Sequence, residues 1–265
     1  MLTMALRAAR KGAEVIDKAL QHRDLIKIEE KSRNDYVTEV DKAVEKEVIY
    51  HLKKAYPEHS FLGEESGSIE TDSDYQWVID PIDGTTNFVY GIPHFAISIA
   101  CLFKGKIEHA VVLDPSKREE FTASRGKGAM LNGRRMRVSD RKGLSGALIA
   151  TGIPFSDKNL MHLKPFLQSM EDILEQKSAG IRRMGAASLD LAYVAAGRYD
   201  GFWEMKLNPW DMAAGLLLIT EAGGFVSDFK GGNAMMSKGN IVCGPGKVFK
   251  PLLSIAGKHL QYLQD

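Results

Sequence analysis

The stretch Asp80-Pro81-Ile82-Asp83-Gly84-Thr85-Thr86 constrains this chain more than any other. It follows Gln76-Trp77-Val78-Ile79, a short apolar run that reads as a buried strand. Proline cannot donate to a sheet ladder, so the strand is predicted to stop at Pro81. Two carboxylates, Asp80 and Asp83, then stand three residues apart at a strand's C-terminal end. Gly84 and two threonines supply a turn that opens a helix with free backbone N–H groups, and such groups cradle phosphate. Carboxylates at fixed spacing bind hard divalent cations through oxygen. Metal and phosphate sites packed into one turn point to metal-assisted phosphate-ester chemistry.

The surrounding periodicity predicts a mixed architecture. Leu2, Leu6, Ala9, Ala13, Ile16 and Leu20 recur at helical spacing, so residues 2 to 20 read as an amphipathic helix. Thr38, with Asp41 three residues on, reads as a capping box, and Val40, Val44, Val48 and Leu52 form the buried stripe of the helix it starts. Pro57 ends that helix. Residues 60–62, 95–103, 107–113 and 120–123 read as strands, with Lys104-Gly105-Lys106 as a turn. This half is expected to pack helices on an antiparallel sheet. Beyond about residue 145 the pattern alternates: strands at 147–151, 200–205, 225–229 and 241–243, helices at 159–176, 187–196, 212–222 and about 248–264. A subdomain boundary is expected near residues 140 to 146, giving halves 1–142 and 143–265 of one compact unit.

With 265 residues the chain suits one large domain or two small ones. Lys plus Arg is 35 against 34 for Asp plus Glu, which gives no global reason to expect nucleic acid or an anionic membrane as main partner. Cys101 and Cys243 lie in apolar runs without a CxxC neighbour, which argues against a disulfide framework or zinc site and fits a reducing cytoplasm. The N-terminus lacks the uninterrupted apolar core of a signal peptide. No apolar run approaches the roughly 18 residues that span a bilayer.

Two further acidic positions share the context of Asp80 and Asp83, each falling where a regular element meets a turn. Glu64-Glu65 follows a short strand and a glycine, and Asp211 follows Pro209-Trp210 and opens an apolar helix. An aspartate at a helix start is most often an N-cap, and a glutamate pair in a loop is usually solvated. Spacing alone leaves open whether the three places converge.

Trp77-Val78-Ile79-Asp80-Pro81-Ile82-Asp83-Gly84-Thr85-Thr86-Asn87-Phe88 resembles the signature of the inositol monophosphatase family. Trp210-Asp211 leading through Ala213-Ala214-Gly215 to Glu221-Ala222-Gly223-Gly224 resembles the second family signature. Gly63-Glu64-Glu65-Ser66 and Val37-Thr38-Glu39-Val40-Asp41 match the upstream motifs, in family order. The resemblance implies an α+β fold, a layered α-β-α-β-α sandwich, and Mg²⁺-dependent, lithium-sensitive hydrolysis of small phosphate monoesters. It implies that Glu64, Asp80 and the carbonyl of Ile82 hold one Mg²⁺. Asp80, Asp83 and Asp211 would hold a second, with Glu65 supporting or binding a third weakly. Thr85 and Asp41 would orient the attacking water, with Glu64 counted beside them as catalytic. Gly84 and Thr85 would present N–H groups to the phosphate. Asp83, Ala187, Glu204 and Asp211 would face the sugar-like ring.

The resemblance further implies a homodimer. Some bacterial members also serve as partners in transcription antitermination for ribosomal RNA synthesis, and other relatives hydrolyse fructose bisphosphate or adenosine 3′,5′-bisphosphate. The basic stretch Lys127, Arg134, Arg135, Arg137, Arg141 and Lys142 reads either as a solvated hairpin edge or as a docking face for RNA or an acidic protein. Arg182-Arg183 reads as an interface or carbonyl-capping pair. His94 is expected to be structural.

Overall fold

The structure is a computed structural model describing residues 1–22, 26–32, 35–154 and 159–264. A helix α1 (Leu2–Leu20) leads through the hairpin β1 (Ile28–Ser32) and β2 (Asp35–Thr38) to α2 (Glu39–Ala55). Then come β3 (Ser60–Gly63), β4 (Gly67–Ile69), β5 (Tyr75–Asp83), α3 (Thr85–Tyr90), β6 (Ala96–Phe103), β7 (Lys106–Asp114), β8 (Glu119–Ser124), β9 (Gly128–Leu131) and β10 (Arg134–Arg135). The second half runs β11 (Leu148–Thr151), α4 (Leu163–Glu175), β12 (Gly180–Arg182), α5 (Ala187–Ala195), β13 (Gly201–Glu204) and α6 (Pro209–Glu221). It closes with β14 (Phe225–Ser227), α7 (Met235–Lys238), β15 (Ile241–Gly244) and α8 (Gly246–Leu260).

Two sheets organise these elements, one of eight strands in the order β10-β9-β8-β7-β6-β5-β3-β4 and one of five in the order β12-β11-β13-β15-β14. The larger is antiparallel, as the sequence predicts, except where β3 runs parallel to β5. The period-2 alternation of the strands sorts their side chains into layers. Trp77, Ile79, Ile97, Ile99, Val111 and Leu113 face α1 and α2. Val78, Ala100, Val112 and Phe121 face the other way, onto α5 and α6. The smaller sheet covers those helices with Phe202 and Cys243, while Trp203 and Val242 point outward to α4 and α8. The order is therefore α-β-α-β-α.

This layering explains the composition of α6. Met212 to Ile219 are buried without interruption, as a helix enclosed between two sheets requires. Gly215 lets α5 approach, since a Cβ there would stand 2.5 Å from the Leu191 Cβ.

Two sequence expectations need correction. Strand β5 does not stop at Pro81. It continues to Asp83, with a register shift between Asp80, paired with Ser98, and Asp83, paired with Ala96. Three residues on β5 thus span two on β6, a bulge, where a proline's missing donor is tolerated. Asp211 is likewise not the N-cap of α6. That place belongs to Asn208, and Asp211 is the third helical residue, closing a capping box. Among the described residues no helix is long and apolar enough to cross a membrane. Arg134 and Arg135 lie exposed on the edge strand β10.

Candidate active site

The bulge does chemical work. In a regular strand, residues three apart point to opposite faces. The extra residue between Asp80 and Asp83 puts both carboxylates on the face that looks toward α5 and α6. From that face α6 supplies Asp211. Its start is tied to the sheet by Ser98, the register partner of Asp80, whose hydroxyl donates to the Trp210 carbonyl at 3.1 Å. Asp80, Asp83 and Asp211 each offer a carboxylate oxygen, and these lie within 4.8 Å of one another.

They open onto a cleft of about 300 Å³, also lined by Glu64, Ile82, Gly84, Thr85, Ala187 and Glu204. Two predicted residues stand off it. Asp41 is buried behind Thr85, accepting from Thr38 N–H at 2.8 Å and from the Thr85 hydroxyl at 3.1 Å. Glu65 does not line the cleft and lies near enough to Asp41 to push its carboxyl pKa up, after burial, the larger cause.

Electrostatics here are those of a crowded acid site. Burial, then Glu64, Asp83 and Asp211, holds Asp80 well above the usual carboxylate range. Burial and Asp83 do the same to Asp211, against the Asn208 N–H that it accepts at 2.6 Å. Asp83 is pushed by burial to about 6, although it accepts from both the hydroxyl and the N–H of Ser188, the latter at 2.6 Å at the start of α5. Such a cluster is relieved by cations. The donors are carboxylates and the Ile82 carbonyl, with no histidine or cysteine among the lining residues, so the set fits a hard divalent ion.

Several further residues hold this arrangement, and two of them, Glu45 and Ser188, carry no recognisable sequence signal. Glu45 of α2 is buried and accepts the N–H groups of Glu65 at 3.0 Å and Ser66 at 2.7 Å. It fits only because Gly63 has no side chain, a Cβ there meeting the Glu45 carboxylate at 2.5 Å. Glu45 therefore fixes the turn that presents Glu64. Glu45→Ala is expected to cost about 1–3 kcal/mol by removing the charged, buried acceptor of two backbone N–H groups in this turn. It should also weaken divalent-cation binding about 10- to 100-fold, as loss of a ligand's support does. Denaturant unfolding and calorimetric metal titration check the two effects separately. Asn87 donates to the carbonyls of His94 and Met184, both at 2.8 Å, and so anchors the loop before α5. Arg183 in that loop lines the cleft, a place the sequence did not suggest. His94 does not line it. Burial, with a smaller effect of Lys117, lowers its pKa to about 4, so it is neutral near pH 7.

A phosphatase fold with an acid cluster beside a helix start is the class these features define. The chain belongs to the inositol monophosphatase family, whose family model matches residues 1–261. It is 58% identical over 263 residues, 98% of this chain and 97% of the relative, to a Pseudomonas aeruginosa protein named Nus factor SuhB. The crystal structure of extragenic suppressor protein suhB from Bartonella henselae superposes with a TM-score of 0.93 at 43% identity, covering 97% of this chain and 98% of that one. The inositol monophosphatase from Anabaena (Nostoc) superposes at 0.83 with 33% identity, covering 98% and 97%. The family is metal-dependent, and the acidic cluster is this chain's candidate for the ion.

Proposed function

We propose that the chain hydrolyses small phosphate monoesters, inositol-1-phosphate above all, in a Mg²⁺-dependent and Li⁺-sensitive reaction. The convergence of Asp80, Asp83 and Asp211 carries this reading. In it, Glu64, Asp80 and the Ile82 carbonyl hold one Mg²⁺, and Asp80, Asp83 and Asp211 a second. Glu65 supports a third, weaker one. When bound, the ions lower the pKa of a coordinated water and stabilise the leaving oxygen.

The chain's own groups do the rest. The Thr85 hydroxyl has one proton and two acceptors in reach, the Ile82 carbonyl at 2.9 Å and Asp41 Oδ1 at 3.1 Å. Whichever it uses, its lone pairs remain to accept from a water in the cleft and orient it. The N–H groups of Gly84 and Thr85, at the start of α3 and without intrahelical partners, are assigned to phosphate oxygens. Burial and the Asp83 charge push Glu204 to about 8, so near pH 7 it is a neutral carboxyl able to donate to a ring hydroxyl. Ala187, Asp83 and Asp211 border the same ring in this reading.

The test is phosphate release from inositol-1-phosphate, 2′-AMP, fructose-1,6-bisphosphate and adenosine 3′,5′-bisphosphate, each with Mg²⁺, with EDTA and with added Li⁺. Mg²⁺-dependent, Li⁺-sensitive turnover strongest on inositol-1-phosphate supports the reading. Turnover of none of them defeats it.

A second role is supported by the printed name of the P. aeruginosa relative, a Nus factor. In it the chain, as a cytoplasmic homodimer, is a protein partner in transcription antitermination of ribosomal RNA, with catalysis secondary. An Asp83→Asn strain that keeps the growth phenotype of the wild type favours that role, and one that loses it favours catalysis.

A further inference from the structure

One carboxyl on the inner wall of the cleft has no part in the arrangement above. Asp190 lies on α5 three residues after Ala187, so the two share a helix face. It lines the cleft together with Glu204, Asp83 and Arg183. It is only 1% exposed, and its buried Oδ1 has no hydrogen-bond partner among the described residues. An unsatisfied buried oxygen costs about 1–3 kcal/mol, a burden that a residue serving only the fold would not need to carry. Burial, with the neighbouring Glu204 and Asp83, holds the carboxyl well above the usual range against the pull of Arg183. Ionised or protonated, the carboxyl keeps an oxygen that can accept from a hydroxyl.

We propose that Asp190 is a specificity-determining residue whose carboxyl hydrogen-bonds a ring hydroxyl of a polyol phosphate seated between Ala187 and Glu204. The inference rests on the phosphatase reading and narrows it to substrates with hydroxyls flanking the ester. Asp190 and Glu204 approach the cleft from α5 and β13, so together they match two hydroxyls of one ring. An ester without hydroxyls leaves both carboxyls unpaired, and a site built to bond a hydroxyl discriminates strongly against such an analogue.

The experiment compares kcat/KM for inositol-1-phosphate with kcat/KM for phenyl phosphate, which has no hydroxyl, in wild type, Asp190→Ala and Asp190→Asn. Asp190→Ala is expected to lower the ratio of the two about tenfold, mainly through KM for the inositol ester, the worth of roughly one hydrogen bond. Asp190→Asn keeps an oxygen that can accept from a hydroxyl and should restore most of the ratio. Should the alanine variant not fold, Asp190→Val fills the space without a polar atom and carries the same expectation. A ratio that does not move, or equal losses on both substrates, overturns the inference and assigns Asp190 to the fold. Turnover of neither substrate by the wild type defeats the phosphatase reading itself, an outcome distinct from turnover of both at a constant ratio.

Discussion

Asp80→Asn is expected to abolish Mg²⁺-dependent phosphate release while making the metal-free protein more stable. Asp80 is 1% exposed and surrounded by Glu64, Asp83 and Asp211, all of which disfavour its charge. Asparagine has the same shape and keeps an oxygen for the Ile82 N–H, which Asp80 Oδ1 accepts at 3.1 Å. What it removes is a negative charge. Without metal that removal relieves repulsion and desolvation, and the melting temperature should rise by a few degrees. With metal the same charge is a shared ligand. Loss of several kcal/mol of transition-state stabilisation lowers turnover roughly a thousandfold or more, at about 1.36 kcal/mol per tenfold. The two measurements should therefore move in opposite directions. A variant that loses both activity and metal-free stability would refute a functional charge cluster and indicate a structural one.

The second large effect is in the pH dependence of stability. Folding raises the carboxyl pKa of Asp83 from 3.8 to about 6 and of Glu204 from 4.5 to about 8, while Asp80, Asp190 and Asp211 move in the same direction. Between the unfolded and folded pKa values the folded chain binds more protons than the unfolded one. These carboxyls therefore lower the stability of the metal-free protein as pH rises from about 4 toward about 8, and together they outweigh the opposite contribution of His94, whose pKa folding lowers to about 4. Mg²⁺ competes with protons for the oxygens of Asp80, Asp83 and Asp211, so its stabilisation should grow over that range. At a hundredfold excess over Kd the gain is about 2.7 kcal/mol, roughly 5–10 °C for a chain of this size. Thermal melts with EDTA and with Mg²⁺ at pH 5 and pH 8 test both statements. A metal-free protein that is more stable at pH 8 would contradict the raised carboxyl pKa values, and a Mg²⁺ shift larger at pH 5 would be incompatible with Asp80, Asp83 and Asp211 acting as ligands.

Much of the molecule was legible in the chain. Helix α1 is predicted and found over the same residues, because its apolar positions repeat with the helical period. Thr38 and Asp41 form the capping box that their spacing announces. The nearly unbroken apolar runs of β6 and α6 report elements buried on every side. These are local properties, in which neighbouring residues and the geometry of one element suffice.

What the tertiary structure decided is everything that depends on register and on contacts between distant residues. Local sequence alone predicts a strand ending at Pro81. The bulge that carries β5 onward, and turns Asp80 and Asp83 to one face, exists only because β6 is there to pair with. Ser98 joining β6 to the start of α6, Glu45 holding the turn of Glu64, and Ser188 capping Asp83 span 112, 20 or 21, and 105 residues of chain. No periodicity encodes such pairs, since each partner alone is an ordinary serine or glutamate. The sequence by itself determined which acids are present and which elements carry them. Packing two sheets around α5 and α6 brought three of those acids within 4.8 Å, Asp80 and Asp83 buried and Asp211 partly so, and burial together with that crowding is what raises their affinity for protons and makes the site suited to cations.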